Sequence, residues 1–353
     1  MKTLGFLSRI FWIRLVALSA PVLLLISPAQ GQSLDDVHIS PRIGTDSVQA
    51  IAKPLTGTSF DGPVAESNSL RVSVDLVLVP VTVSDHSNRL VTTLNKNDFS
   101  LFEEEKRQDI RYFSTEESPL SIAILFDVSK SMTGKIDSER AALVEFFNNA
   151  NPADEYFAIA FSDRPRLLAS ATQSIDELQH KLLATEPGGP TAMLDAVYLA
   201  ESKLRSARYE RRAIVIFSDG GDNVSHYTLR EIKSLVQESD VQVYAIGLFD
   251  TFFVGTLEEK LGKKWLGEIT DASGGRTITV DNRAKLPDAA AQISREIRNQ
   301  YILGYHPEAG RVGKWRKIRV NVTDPATRQR LHAYYRKGYL SSSKTYAQSR
   351  NPF

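Results

Sequence analysis

The chain predicts an α/β fold: a doubly wound, mostly parallel sheet that is inserted in, or flanked by, a small β-sandwich. Three observations carry this. Residues 121–126 and 213–217 are short unbroken apolar runs, as strands covered on both faces require, and each ends in acid or hydroxyl groups, Asp127 and Ser218-Asp219. Across residues 119–300 strand-like and helix-like periods alternate, the pattern of a parallel sheet with helices on both faces. Before and after that region lie strand-like segments too few on either side to bury a sheet alone, so the two sets are expected to pair into one sandwich.

At the N-terminus Lys2, Arg9 and Arg14 precede an apolar run over residues 15–26, and Ala29-Gln30-Gly31 follows. This is the pattern of a secretory signal peptide over residues 1–31, with cleavage near Gly31. Arg14 leaves the apolar run short for an anchor, so export to the periplasm, the cell surface or the medium is expected, and no later stretch is apolar enough to span a membrane. Residues 32–69 are polar, contain Pro41, Pro54 and Pro63, and read as a flexible leader. The N-terminal strand set, 70–118, begins with a valine-rich alternating stretch over 70–84, in which Pro80 demands an edge position or a bulge. Strands over 97–104 and 108–113 follow, around a charged hairpin turn.

Within the α/β domain, 119–300, a helix over 135–151 carries Ala142, Leu143, Phe146 and Phe147 on one stripe. Strands over 154–161 and, more weakly, 166–171 come next, and Ser174 with Glu177 opens a helix as a capping box. Pro187-Gly188-Gly189-Pro190 breaks the chain before Thr191 and a helix through Leu204. Thr228 caps a helix, 241–247 is a strand, and the aromatic loop over 249–255 is expected to pack under the sheet edge. A helix over 261–272, a short strand over 276–280 and an amphipathic helix over 286–300 complete the domain. The C-terminal strand set, 301–340, comprises strands over 301–306, 315–322 and 332–340, and residues 341–353 are expected to be disordered.

Composition narrows the function. The 43 basic and 42 acidic residues nearly cancel, and no basic stripe interleaved with aromatics is present, so no nucleic-acid partner is expected. With no cysteine there are no disulfides, thiolate metal sites or cysteine nucleophiles. The 6 histidines are scattered without ligand spacing. No phosphate loop, G-x-S-x-G elbow or H-E-x-x-H pair occurs. A phosphatase with an aspartyl nucleophile at Asp127 would want a second acid two residues on, where Ser129 stands.

Oxygen ligands nonetheless gather where strands end: Asp127, Ser129 and Ser131 after one strand, Thr191 in the glycine-proline loop, and Asp219 after another. Open α/β sheets place ligands at that carboxyl edge. Singly, Ser131 or Thr191 reads as a helix N-cap; jointly, two acids and three hydroxyls suit a small hard cation, Mg²⁺ first, with Mn²⁺ or Ca²⁺ as alternatives. Two carboxylates leave such a cation under-neutralised, so its open position is expected to attract an acid from another molecule.

The segment Asp127-Val128-Ser129-Lys130-Ser131, with Thr191 and Ser218-Asp219-Gly220, resembles the D-x-S-x-S…T…D metal-ion-dependent adhesion site of von Willebrand factor A domains. The longer chain resembles the bacterial group of VWFA-related domain proteins, through residues 97–103, Tyr301-Ile302-Leu303-Gly304-Tyr305 and Arg336-Lys337-Gly338-Tyr339. The resemblance implies that Ser129 and Ser131 ligate the metal directly. Thr191 and Asp219 would alternate between direct and water-mediated contact, and Asp127 would orient the waters and serine hydroxyls. Lys130 between the serines departs from the pattern and is expected to point outward, forming with His226 and Tyr227 a rim that shapes ligand choice. The implied role is non-enzymatic: metal-dependent binding of a protein or peptide that offers a carboxylate. A scaffold or assembly factor for an envelope complex is the alternative, and a metal-dependent hydrolase ranks below both, since no general base stands beside the site.

Overall fold

A computed structural model of the chain describes residues 76–115, 118–249, 257–308 and 313–341. The expected signal peptide and leader, and residues 342–353 of the expected tail, lie outside them. Four strands open the described part: β1 (Val77–Ser84), β2 (Phe99–Glu103), β3 (Lys106–Gln108) and β4 (Tyr112–Ser114). The charged run between β2 and β3 is a tight hairpin turn, with Glu104 and Glu105 both at positive φ, 47° and 69°. The strand expected over 108–113 divides. Its start stays beside β2 in β3, while β4 crosses to another sheet, with Ile110 buried at the crossing.

The α/β region runs β5 (Ser121–Asp127), α1 (Ile136–Asn148), β6 (Glu155–Phe161), β7 (Pro165–Thr172), α2 (Ile175–Leu183), α3 (Met193–Leu204) and β8 (Arg212–Ser218). It continues through α4 (Leu229–Glu238), β9 (Val241–Leu248), α5 (Leu257–Ser273), β10 (Thr277–Val280) and α6 (Leu286–Arg298). Its strands form one six-stranded sheet in the order β10-β9-β8-β5-β6-β7. All neighbours are parallel except β7, which runs antiparallel to β6 at the edge with shifts in register. Alternate residues of β5 face opposite layers: Ile122, Ile124 and Phe126 pack with α1, α2 and α6, and Ala123 and Leu125 with α3, α4 and α5. That two-sided burial is why β5 and β8 read as unbroken apolar runs. Thr228 and Glu231 form the reciprocal capping box at α4, whereas at α2 only the Ser174 hydroxyl accepts, from the Glu177 N–H.

The last strands are β11 (Tyr301–Tyr305), β12 (Trp315–Val322), β13 (His332–Tyr334) and β14 (Gly338–Leu340). Where one strand was expected over 332–340, the chain again changes sheets, with β13 in one and β14 in the other. The two antiparallel sheets have the orders β13-β1-β11-β4 and β14-β12-β2-β3, so each combines strands from both ends of the described chain. Their shared core includes Val81, Leu101, Tyr301, Leu303, Ile318 and Val320. Pro80 sits in an interior strand, yet on a locally open side. β11 pairs with residues 77–81 of β1 and β13 only with 82–84, and the carbonyl of Leu78 accepts from Arg336 Nη2 instead of a strand.

A polar seam joins the end of α6 to both layers. Gln300 Nε2 donates to Thr82 Oγ1 of β1 at 3.3 Å, and to Gln242 Oε1 and Tyr244 Oη of β9 at 2.8 Å each. Arg298 is buried against Asp154 at 2.8 Å. Among the described residues no helix is long and apolar enough to cross a membrane.

Candidate metal centre

β5 and β8 are parallel neighbours with Phe126 opposite Phe217, so Asp127 and Ser218-Asp219 stand side by side at the carboxyl edge of the sheet. The Asp127 carboxylate is completely buried and held from two sides. Its Oδ1 accepts from the Ser129 backbone N–H at 2.9 Å, and its Oδ2 from the Ser218 hydroxyl at 2.5 Å. Burial, and next the nearby Asp219 charge, push the Asp127 carboxyl up to about 7. The Asp219 charge thus adds to what burial already costs the Asp127 carboxylate.

The Ser129 and Thr191 hydroxyls do not cap helices. Ser129 occupies the N-cap position of a 3-10 turn over Lys130–Met132, but its side chain makes no capping bond; Ser129 Oγ lies 3.0 Å from Ser131 Oγ instead. Thr191 is not a cap either, since α3 has Ala192 at that position. Its backbone does the holding: its N–H donates to Asn223 Oδ1 at 2.9 Å, and its carbonyl accepts from the N–H groups of Asn223 and Val224 at 2.9 and 3.3 Å. The Thr191 hydroxyl has no hydrogen-bond partner among the described residues. The glycine-proline loop is tied in turn to the serine loop, because Lys130 N–H donates to the Gly189 carbonyl at 2.9 Å and Gly188 N–H to the Val128 carbonyl at 2.8 Å. Gly189, at φ +82°, makes the turn that presents this carbonyl.

Asp219 is buried, with Oδ1 accepting from Gly221 N–H at 3.3 Å and Oδ2 paired to Lys135 Nζ at 3.0 Å. Gly220 follows at φ +80°, where a Cβ would lie 2.6 Å from the backbone of Gly262 in α5. Gly220→Ala is therefore expected to lower stability by about 1–3 kcal/mol through backbone strain, with further loss from the clash, in urea denaturation. A wild-type midpoint would show that the loop relaxes freely.

Of the expected rim, Lys130 is exposed, as its outward direction requires. Asp195, in the first turn of α3, gathers the other two: its Oδ1 accepts from the N–H groups of His226 and Tyr227 at 2.8 and 3.1 Å, and its Oδ2 lies 2.8 Å from His226 Nδ1. The Tyr227 ring stacks on Tyr198, with centroids 4.1 Å apart. Phe249 is buried in the sheet-face core, and the rest of its aromatic loop lies outside the described residues.

Five contributors escaped sequence reasoning: Ser218 as the partner of Asp127, Asn223 and Asp195 as loop ties, and Lys135 with Glu139. For Glu139 a signal existed. It stands three and four residues before Ala142 and Leu143, an acid on a buried apolar stripe. Neither Glu139 carboxylate oxygen completes a hydrogen bond, although the Asp127 N–H lies toward it. Its own burial, then the charges of Asp127 and Asp219, push it well above the usual carboxylate range. Among the described residues, three buried acids thus face one buried cation, Lys135. No set of three or more His, Cys, Asp or Glu side chains forms a metal cluster among the described residues, so a cation here would rely on the hydroxyls. An all-oxygen donor set with surplus negative charge fits a hard divalent ion.

Residues 122–221 match the family model of the von Willebrand factor type A domain. The inter-alpha-trypsin inhibitor heavy chain H4 of Homo sapiens is 27% identical over 146 residues, which are 37% of this chain and 16% of that protein. An uncharacterised protein of Borreliella burgdorferi is 22% identical over 198 residues, 50% of this chain and 58% of the other. The chain thus spans less than two thirds of either relative. Among solved structures, a von Willebrand factor type A protein from Catenulispora acidiphila aligns with a TM-score of 0.45 and 12% identity, covering 79% of this chain and 76% of that one. A proximal thread matrix protein from the mussel byssus, with a zinc-occupied MIDAS motif, aligns at 0.43 and 18% identity, covering 56% and 50%. The matched segment runs from the second residue of β5 past Asp219 to Gly221, through the serine loop and the glycine-proline loop, and ties this part of the α/β region to the von Willebrand factor type A domain.

Proposed function

We propose that this is an exported protein-binding protein whose A domain holds a divalent cation, Mg²⁺ first, at Asp127, Ser129, Ser131, Thr191 and Asp219, and through it takes a carboxylate of a partner protein or peptide. The observation that carries the reading is the pairing of two buried carboxylates on adjacent strand ends with three hydroxyls that no helix cap uses. When bound, the cation supplies positions that accept an incoming carboxylate oxygen. The chain's own residues prepare that place. Ser218 and the Ser129 N–H fix the Asp127 carboxylate, the Asn223 bonds fix Thr191, and the exposed Lys130 offers a cation at the mouth to an approaching acid. The A-domain match supports a protein-binding role, and the N-terminal signal pattern supports export.

The test uses the immobilised chain and acidic peptides, with wild type and Asp127→Ala compared in Mg²⁺ and in chelator. Wild type is expected to retain peptides ending in Asp or Glu in Mg²⁺ and to release them in chelator, while Asp127→Ala, its fold checked by circular dichroism, retains none. Equal retention by the two proteins would sink the metal bridge, and turnover of the peptides would replace binding with catalysis.

A further inference from the structure

Lys135 and Glu139 stand four residues apart at the start of α1, a spacing that brings helical side chains within reach of each other. Lys135 is 6% exposed and Glu139 2%. In this structure the lysine spends its charge elsewhere, on Asp219 Oδ2 at 3.0 Å. Glu139 is left with two buried oxygens and no completed hydrogen bond, at a narrow cleft lined also by Met132, Phe217, Ser218, Ile246 and Leu286. A buried carboxylate without a partner is costly, so the arrangement is unbalanced: one acid has the cation and another, one helical turn away, lacks it.

We infer that Lys135 is an internal competitor for the metal at Asp219, and that Glu139 is its second berth. Without a divalent ion, Lys135 neutralises Asp219. When the ion takes Asp219, the ammonium transfers to Glu139, so the metal releases one ion pair and forms another. The inference rests on the metal reading above and adds what that reading omits: the affinity of the site is set by two residues that never touch the cation. It also gives the cleft a purpose, since Glu139 lies there beside Ser218, the residue that holds Asp127.

Mg²⁺ titration by calorimetry, on wild type, Lys135→Met, Glu139→Gln and the double variant, separates the possibilities. Lys135→Met is expected to bind Mg²⁺ about tenfold more tightly than wild type, and Glu139→Gln about tenfold more weakly, the lower end of what groups behind metal ligands produce. In the Lys135→Met background Glu139→Gln should have no effect, because no lysine remains to be rehoused. A second readout guards against loss of fold. Thermal melts of Lys135→Met should fall below wild type in chelator, where the acids lose the Lys135 ammonium, and recover in saturating Mg²⁺. Unchanged or weaker binding by Lys135→Met overturns the exchange while leaving the metal site standing. Equal weakening by Glu139→Gln in both backgrounds also overturns it, by making Glu139 an independent support of the metal. No heat with wild type or any variant overturns the metal reading and this inference together.

Discussion

Arg298→Met is expected to cost about 3–5 kcal/mol in urea denaturation, the range for removing one partner of a buried ion pair. The guanidinium leaves α6 at its C-terminal turn and meets Asp154 Oδ2 at 2.8 Å, with both side chains almost wholly buried. It also donates to the Asn149 carbonyl at 2.7 Å and to Tyr156 Oη at 3.3 Å, so one residue fastens α6 to the end of α1 and the start of β6. Asp154 in turn accepts from Leu120 N–H at 2.9 Å, just ahead of β5. Burial raises the Asp154 carboxyl despite the opposing pull of Arg298, so the pair is poorly compensated even when intact. Without the arginine the carboxyl must rise further, because the largest of the pulls that oppose desolvation is gone. The sign of the pH effect follows. A raised carboxyl favours the protonated folded state, so the deficit of Arg298→Met is full at pH 7 and shrinks as pH falls through the variant's Asp154 value, where the stranded charge is neutralised. Adding Asp154→Asn should recover part of the loss at pH 7 and little at low pH. A deficit independent of pH would mean that lost packing, and not the orphaned charge, carries the effect.

The second large effect concerns the ion. At a free Mg²⁺ concentration about a hundredfold above the dissociation constant, binding confined to the folded state adds about 2.7 kcal/mol. For a unit of this size that corresponds to a rise of roughly 5–10 °C in melting temperature, at 2–4 °C per kcal/mol. Chelator should reverse it, and Asp219→Ala should abolish it, since Asp219 is both the proposed ligand and the partner of Lys135. A melting temperature indifferent to Mg²⁺, Mn²⁺ and Ca²⁺ alike would argue that the site is filled by its own lysine and takes no metal.

The fold class was legible because its strongest signals are local. An apolar run such as residues 121–126 has one reading when it is short and followed by a helical period, and the alternation of such units fixes a parallel sheet. Chain crossings between sheets were not legible. Nothing in the period of residues 106–114 or 332–340 says that the strand will change partners midway, because pairing is decided by what lies across the core, as with Tyr112 opposite Gly304 while Gln108 lies opposite Leu101. The strand over 166–171 was legible, but not that it would run antiparallel at the edge as β7, and for the same reason. At the sheet edge, order and spacing singled out five candidate oxygen donors, and the structure ties the serine loop to the glycine-proline loop through backbone bonds that no motif specifies, such as Lys130 to Gly189. Of the charges behind them, Lys135 was hidden because a charge at a helix start ordinarily reads as a solvated face, whereas Glu139 showed only as an acid on the apolar stripe.

The way the A domain is set into the sandwich bears on how the chain folds. β4 leads into the domain, α6 delivers the chain back to β11, and those two strands are hydrogen-bonded neighbours. The Leu94 N–H finds its acceptor in Tyr301 Oη, 207 residues along the chain. For an unfolded connector, closing a loop that long costs on the order of 4–5 kcal/mol of chain entropy. A folded A domain removes most of that cost, because it holds its two ends together before any sandwich strand pairs. The sandwich is therefore entropically parasitic on the domain inserted in it: the A domain is expected to fold first, and its unfolding should take the sandwich with it in one transition.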